Sequence, residues 1–363
     1  MVMNFSKHSS VASLFLPCCA LLLGACLLLD PHAAANGFLQ GGQLCVRSVL
    51  PALFPFFVIC HLVVESPVAR RLGLPLRPLA RACGIAEDEA GTVLLLSWLG
   101  GYAACAQILG QLRRSGQLSE RSGVLLLLVG CCSGPGFVIG CIGGQLLGSV
   151  GLGVMLYVLQ LSANLLAAAC LVPLLPHFCS GRAALPCPPP GKAKSGGPSL
   201  SAAIDGGVTS SLGVCGCVIF FRMVQAVLLP LLAAFPLAPA FCAALLEISG
   251  GCADFAALGG KAALYGICFC LSILGFSVFT QLAALLHGTI PLAPLYFARG
   301  LHVLFLCGLV RLAGPWLPGA AAVFSTLAPR VIATTRLAPD AAWVSLLFFC
   351  ALLYKGGKRI YNK

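Results

Sequence analysis

Uncharged or nearly uncharged runs recur along the whole chain, at residues 11–29, 48–64, 90–109, 122–150, 151–176, 207–234, 240–258, 262–287, 290–313 and 340–354. Most are long enough to cross a bilayer core as a helix, which takes about 20 apolar residues. No run shows the strict alternation of a half-buried strand. The pattern predicts an all-α protein built from membrane helices.

Two of the runs are interrupted at their centres. LLSWLGGYAACAQIL (95–109) carries Gly100-Gly101, and LLEISGGCADFAAL (245–258) carries Gly250-Gly251. A third interruption, Ser133-Gly134-Pro135-Gly136, divides the run at 122–150. Proline there removes a helix donor and frees a carbonyl upstream.

Composition sharpens this picture. The 363 residues are 59% hydrophobic and 9% charged, with mean hydropathy +1.00. A soluble domain carries about 25% charged residues, so the balance is that of a polytopic membrane protein. The net charge of +12 comes from Lys and Arg scattered between apolar runs, without a stripe that would track nucleic acid. Most of the 21 cysteines lie inside apolar runs, where a thiol behaves as a small hydrophobe, and no CxxC pair has zinc-ligand spacing. No metal site or cofactor is expected. HExxH, GxxxxGK[ST] and GxSxG signatures are absent from the sequence, so an enzyme is not expected.

Charge placement sets an expected topology. Lys7 puts the N-terminus in the cytoplasm, and Lys355, Lys358, Arg359 and Lys363 put the C-terminus there. Residues 1–36 read as a retained N-terminal helix; the alternative is a signal peptide ending at Ala33-Ala34-Ala35. Residues 177–202 form a Pro/Gly/Ser-rich basic linker between two membrane halves, 37–176 and 203–313, and 314–363 hold a loop, a last helix and the tail. Arg70, Arg71, Arg77 and Arg81 precede the run at 90–109, and Arg113, Arg114 and Arg121 follow it. With both flanks cytoplasmic, that run must enter and return, turning near Gly100-Gly101. Non-helical backbone at membrane depth must be covered by protein or line a cavity.

The segment 134–147 also compares with 273–286, and the two halves enter from opposite sides. About eight transmembrane helices plus two re-entrant hairpins in an inverted-topology repeat are therefore expected, an arrangement that places a solute site where the interrupted segments meet. Candidate solute-binding residues are Ser97, Gly100, Gly101, Tyr102, Gln107, Ser133, Gly134, Pro135, Glu247, Ser249, Gly250, Gly251, Asp254 and Gln281. Intramembrane carboxylates are costly and usually functional. Glu247 and Asp254 could contact a cation or polar solute, or pair with Arg222 or Lys261 to hold the hairpin. Arg299 is expected to snorkel toward the interface and His302 to be packed.

Five stretches, in this order and spacing, resemble the nucleoside-recognition Gate domain family, and within it sporulation integral membrane proteins of the YlbJ type. They are VLPALFPFFVI (49–59), LSWLGGYAACAQILGQLRRSGQLS (96–119), CSGPGFVIGCIGG (132–144), LLEISGG (245–251) and ILGFSVFTQ (273–281). The resemblance runs from about Gly37 to Phe305. The family's first hairpin reads Ser-Gly-Tyr-Pro-x-Gly-Ala; here Gly101, Tyr102 and Ala106 match, while Gly100, Ala103 and Cys105 replace its serine, proline and second glycine.

The resemblance implies a multi-pass protein of the cell membrane in endospore-forming bacteria, needed for spore formation and akin to nucleoside transporters and ferrous-iron permease gates. The expected activity is secondary transport, or a gated pore, for a small polar solute or ion. A non-transporting scaffold for spore cortex or envelope assembly is the alternative. Expected partners are the lipid bilayer and the solute, with a homo-oligomer as a further arrangement and no nucleic acid.

Overall fold

The computed structural model describes residue 17 and residues 21–64, 71–87, 89–178, 199–232, 235 and 237–316. The last apolar run, the basic tail and most of the linker lie outside these residues.

The described residues are helical throughout, without strands. Leu21–Leu29 (α1) meets Pro31–Leu44 (α2) at a bend of 101°. Asp30 makes this bend: its carboxylate accepts the Ala33 N–H at 2.9 Å, and Pro31 opens the helix where no donor is needed. A π-helical turn, Cys45–Val49, leads into Leu50–Val64 (α3). The short Arg77–Ala82 (α4) precedes Ala90–Arg114 (α5), which leaves helical geometry at Gly101. Glu120–Gly130 (α6) stops at Cys131, and a π-helix, Gly136–Leu146, resumes after Pro135. Val150–Leu171 (α7) closes the first half.

The second half is also a series of broken helices. A long helix, Leu200–Leu232 (α8), is followed by Ala238–Leu246 (α9) and Ile248–Leu258 (α10), with Glu247 extended between them. Gly260–Ile273 (α11) and Gly275–Leu286 (α12) are separated only by Leu274 in a left-handed conformation, and Ala293–Ala313 (α13) ends the series. In each half a broken helix pair packs against the next broken pair: α5 against α6, and α10 against α11.

The protein is a multi-pass membrane protein by the length and apolarity of its helices. Among the described residues, five helices are long and apolar enough to cross, or six if α1 and α2 with its π turn form one bent span. That is fewer than eight for a physical reason: breaks shorten several runs. The run at 122–150 becomes two short helices, α3 has 15 residues, and the run at 340–354 lies outside the described residues.

Two apolar cores hold the helices. The larger joins α5–α7 to α9–α13 through side chains such as Leu94, Leu127, Ile142, Leu156, Leu264 and Leu282. The smaller, Cys45, Val49, Phe57, Val214, Cys215 and Val218, joins α3 and the π turn to α8. Leu53 of α3 touches both.

Candidate functional site

The interruptions meet in space. Gly101 has φ 74°, a conformation that costs an L side chain strain, and a Cβ there would lie 2.9 Å from the Gly134 backbone nitrogen. The turn of α5 thus rests directly on the break after α6. Gly275, at φ 79°, is the second such position: a Cβ would lie 3.0 Å from the Ala244 carbonyl and 3.1 Å from the Glu247 nitrogen. Each half therefore seats its first break on its second.

A small, partly open cavity of about 20 Å³ lies at the first of these contacts. Leu99, Gly100, Gly101, Tyr102 and Ala103 line it from α5, and Ser133, Gly134, Gly136 and Phe137 from the break after α6. Leu53, Phe56 and Phe57 close it from α3, and Ile248 and Ser249 from the first turn of α10. The walls are largely aromatic and aliphatic. The polar edge comes from Ser133, Ser249 and backbone at the two breaks. The Ser133 hydroxyl is fully buried and makes no hydrogen bond. The π-helix after Pro135 begins without a side-chain cap, and its Phe137 and Val138 N–H groups turn back to the Gly134 carbonyl.

Six of the sequence candidates line this cavity: Gly100, Gly101, Tyr102, Ser133, Gly134 and Ser249. Pro135 stands between two lining glycines as the N-cap of the π-helix. The other seven are elsewhere. Ser97 is buried beside Gly130 and Cys105, Gln107 is exposed, and Gln281 donates to the Ser277 hydroxyl at 3.1 Å. Gly250 and Gly251 lie inside α10 rather than at a turn, because the chain bends three residues earlier, at Glu247. There the Glu247 carboxylate accepts the Gly250 N–H at 2.7 Å and caps α10 itself.

Asp254 takes the pairing role. Arg222 of α8 grips it with both terminal nitrogens, at 2.8 and 2.7 Å, and also donates to the Gly250 carbonyl at 2.9 Å. Gln225 completes the group, donating to Asp254 at 2.7 Å and accepting from Arg222 at 2.7 Å. Such a geometry ties α10 to α8 and satisfies both charges.

Arg299 does not snorkel. It is 2% exposed and donates to Asn164 Oδ1 at 2.6 Å inside the protein. His302 is packed, with its ring nitrogens against the Ser272 hydroxyl (2.8 Å) and the Gln160 carbonyl (3.1 Å). Missed from the sequence were the aromatic wall, Phe56, Phe57 and Phe137, and three polar residues of α7. Tyr157, Gln160 and Asn164 recur at helical spacing in an otherwise apolar run, which places them on one face and was the available signal.

Outside the membrane helices, Glu87 braces the start of α6. Its carboxylate accepts from the Ser122 hydroxyl at 2.8 Å and the Ser119 hydroxyl at 3.1 Å. Partial burial works to raise its pKa, but these hydrogen bonds outweigh burial and hold it below the ordinary 4.5.

Over 156 residues, 42% of this chain, the sequence is 28% identical to the sporulation integral membrane protein YlbJ of Bacillus subtilis strain 168. The match spans 37% of that relative's length. No family model matches the chain. No solved structure matches it either. The chain is thus similar, over part of its length, to an integral membrane protein of sporulation.

Proposed function

We propose that this protein is a secondary transporter or gated pore of endospore formation, carrying a small polar solute that is nucleoside-like or an ion. The supporting observation is the cavity at the first break, where Ser133, whose hydroxyl makes no hydrogen bond, shares the wall with Phe56, Phe57, Tyr102 and Phe137. Flat aromatic walls with a few placed polar groups suit a small ligand. The partial similarity to a sporulation membrane protein supports the setting.

In this reading α5 is a re-entrant hairpin turning at Gly101, and α9–α10 is its inverted counterpart turning at Glu247. About eight spans surround them, and both termini are cytoplasmic. Access alternates as one repeat rocks against the other. No reaction is catalysed and no cofactor is needed.

The test is uptake of radiolabelled uridine and of radioactive sodium by the full chain in liposomes, with protein-free liposomes as the control. Uptake of either above the control supports transport. Uptake of neither, with a sporulation defect in the deletion strain that the intact chain restores, favours the scaffold.

A further inference from the structure

A broken helix leaves carbonyls inside the protein, and each unmatched one is costly in an apolar setting. At the first break these acceptors are met from α7. Gln160 Nε2 donates to the Ser133 carbonyl at 2.7 Å. Asn164 Nδ2 donates to the Cys131 carbonyl at 3.2 Å and reaches that of Val129 at 3.4 Å. The Tyr157 hydroxyl donates to the Trp98 carbonyl at 2.7 Å, just ahead of the turn at Gly101. The Asn164 amide has one usable orientation, because Arg299 holds its oxygen from the far side. Arg299 keeps two further donors, Nε and Nη1, without a hydrogen bond, so its single strong contact is the one that orients Asn164.

The second break is held differently, with Arg222 of α8 donating to the Gly250 carbonyl at 2.9 Å. Its N-terminal turn is capped by Glu247, and Ser272 returns to the Cys268 carbonyl of its own helix at 2.7 Å. His302 of α13 reaches across to the Gln160 carbonyl. Both closing helices, α7 and α13, thus spend polar side chains on the first break.

We infer that Gln160 and Asn164, backed by Arg299, are positioning residues for the cavity: they hold the chain open between Gly130 and Gly136 so that the Ser133 hydroxyl stands free at its wall. The purpose of this arrangement rests on the transport reading, but its geometry is testable without any transported solute.

The experiment uses the full chain in liposomes, N-ethylmaleimide as the probe, and peptide mass spectrometry as the readout. Cys131 and Cys132, 0% and 1% exposed, flank the break, and Cys170 is an exposed reference on α7. Asn164→Asp keeps the oxygen that Arg299 binds but turns an acceptor toward two carbonyls. Gln160→Glu does the same toward Ser133. Both are expected to label Cys131 and Cys132 about tenfold faster than the wild type, with Cys170 unchanged. Gln160→His retains a donor and is expected to restore wild-type protection. Unchanged labelling in both acidic variants would overturn the proposal, as would an equal rise at Cys170, which would show general loosening. Failure of uridine or sodium uptake would count against the transport reading alone, since labelling does not depend on it.

Discussion

At Gly101 the chain turns on a residue with no side chain, beside a partly open cavity. At Glu247 the turning residue supplies its own carboxylate to the next helix, and Arg222, Gln225 and Asp254 fasten that helix to α8. Two interruptions that align in sequence are thus opposites in chemistry. One leaves the Ser133 hydroxyl unbonded beside a cavity, and the other closes on its own carboxylate. In the proposed transport reading, the solute binds at the first.

Substitutions can break this contrast, and the largest effect is expected at the turn that has no substitute. Gly101→Val must take φ 74° with a Cβ against Gly134. It is expected to cost about 3 kcal/mol or more and to lower membrane abundance, read by immunoblot of membrane fractions. Next comes the pair that fastens α10. Arg222→Met strands the Asp254 carboxylate, which is only partly exposed at 26%. A loss of about 2–3 kcal/mol is expected, seen as a lowered Tm in detergent, with partial recovery in the double variant Arg222→Met with Asp254→Leu.

How much of this contrast could be read from the sequence depends on the residue. The break at Gly101 was legible because a double glycine interrupts an apolar run there. The second turn was displaced to Glu247 because glycine content alone says where a bend is cheap, not where a carboxylate can cap. The useful signal was an acid placed to reach an N–H three residues on. Gln107 and Gln281 were chosen for their chemistry, but each side chain lies away from the cavity, one exposed and the other bonded to Ser277. Tyr157, Gln160 and Asn164 share a face, yet their partners are carbonyls freed by breaks in other helices. The breaks were legible, but which helix meets their carbonyls follows from tertiary packing, which no local pattern encodes. The aromatic wall has the same origin: Phe56 and Phe57 are ordinary membrane-helix residues until α3 packs against the first break.

Two smaller effects sharpen the comparison. Glu247→Ala removes a cap and should lower stability by about 1 kcal/mol, a modest fall in Tm. Acidification should act through Glu87, whose folded pKa is depressed. The stability it contributes is present above the unfolded value of 4.5 and is lost as pH falls through the lower folded value. In Glu87→Gln this small acid-dependent part of the Tm change should vanish, checked by melting curves between neutral pH and the acid side of that window.

The most direct measurement compares Ser133→Ala with Glu247→Gln for uptake of the solute that the wild-type chain carries in liposomes, at matched protein density. The Ser133 hydroxyl has no partner to lose, so Ser133→Ala should leave Tm unchanged while cutting uptake about tenfold, the loss of one buried hydrogen bond to the solute. Glu247→Gln should retain most of the uptake. Wild-type uptake in Ser133→Ala, with uptake abolished in Glu247→Gln, would contradict the assignment of the solute to the first break.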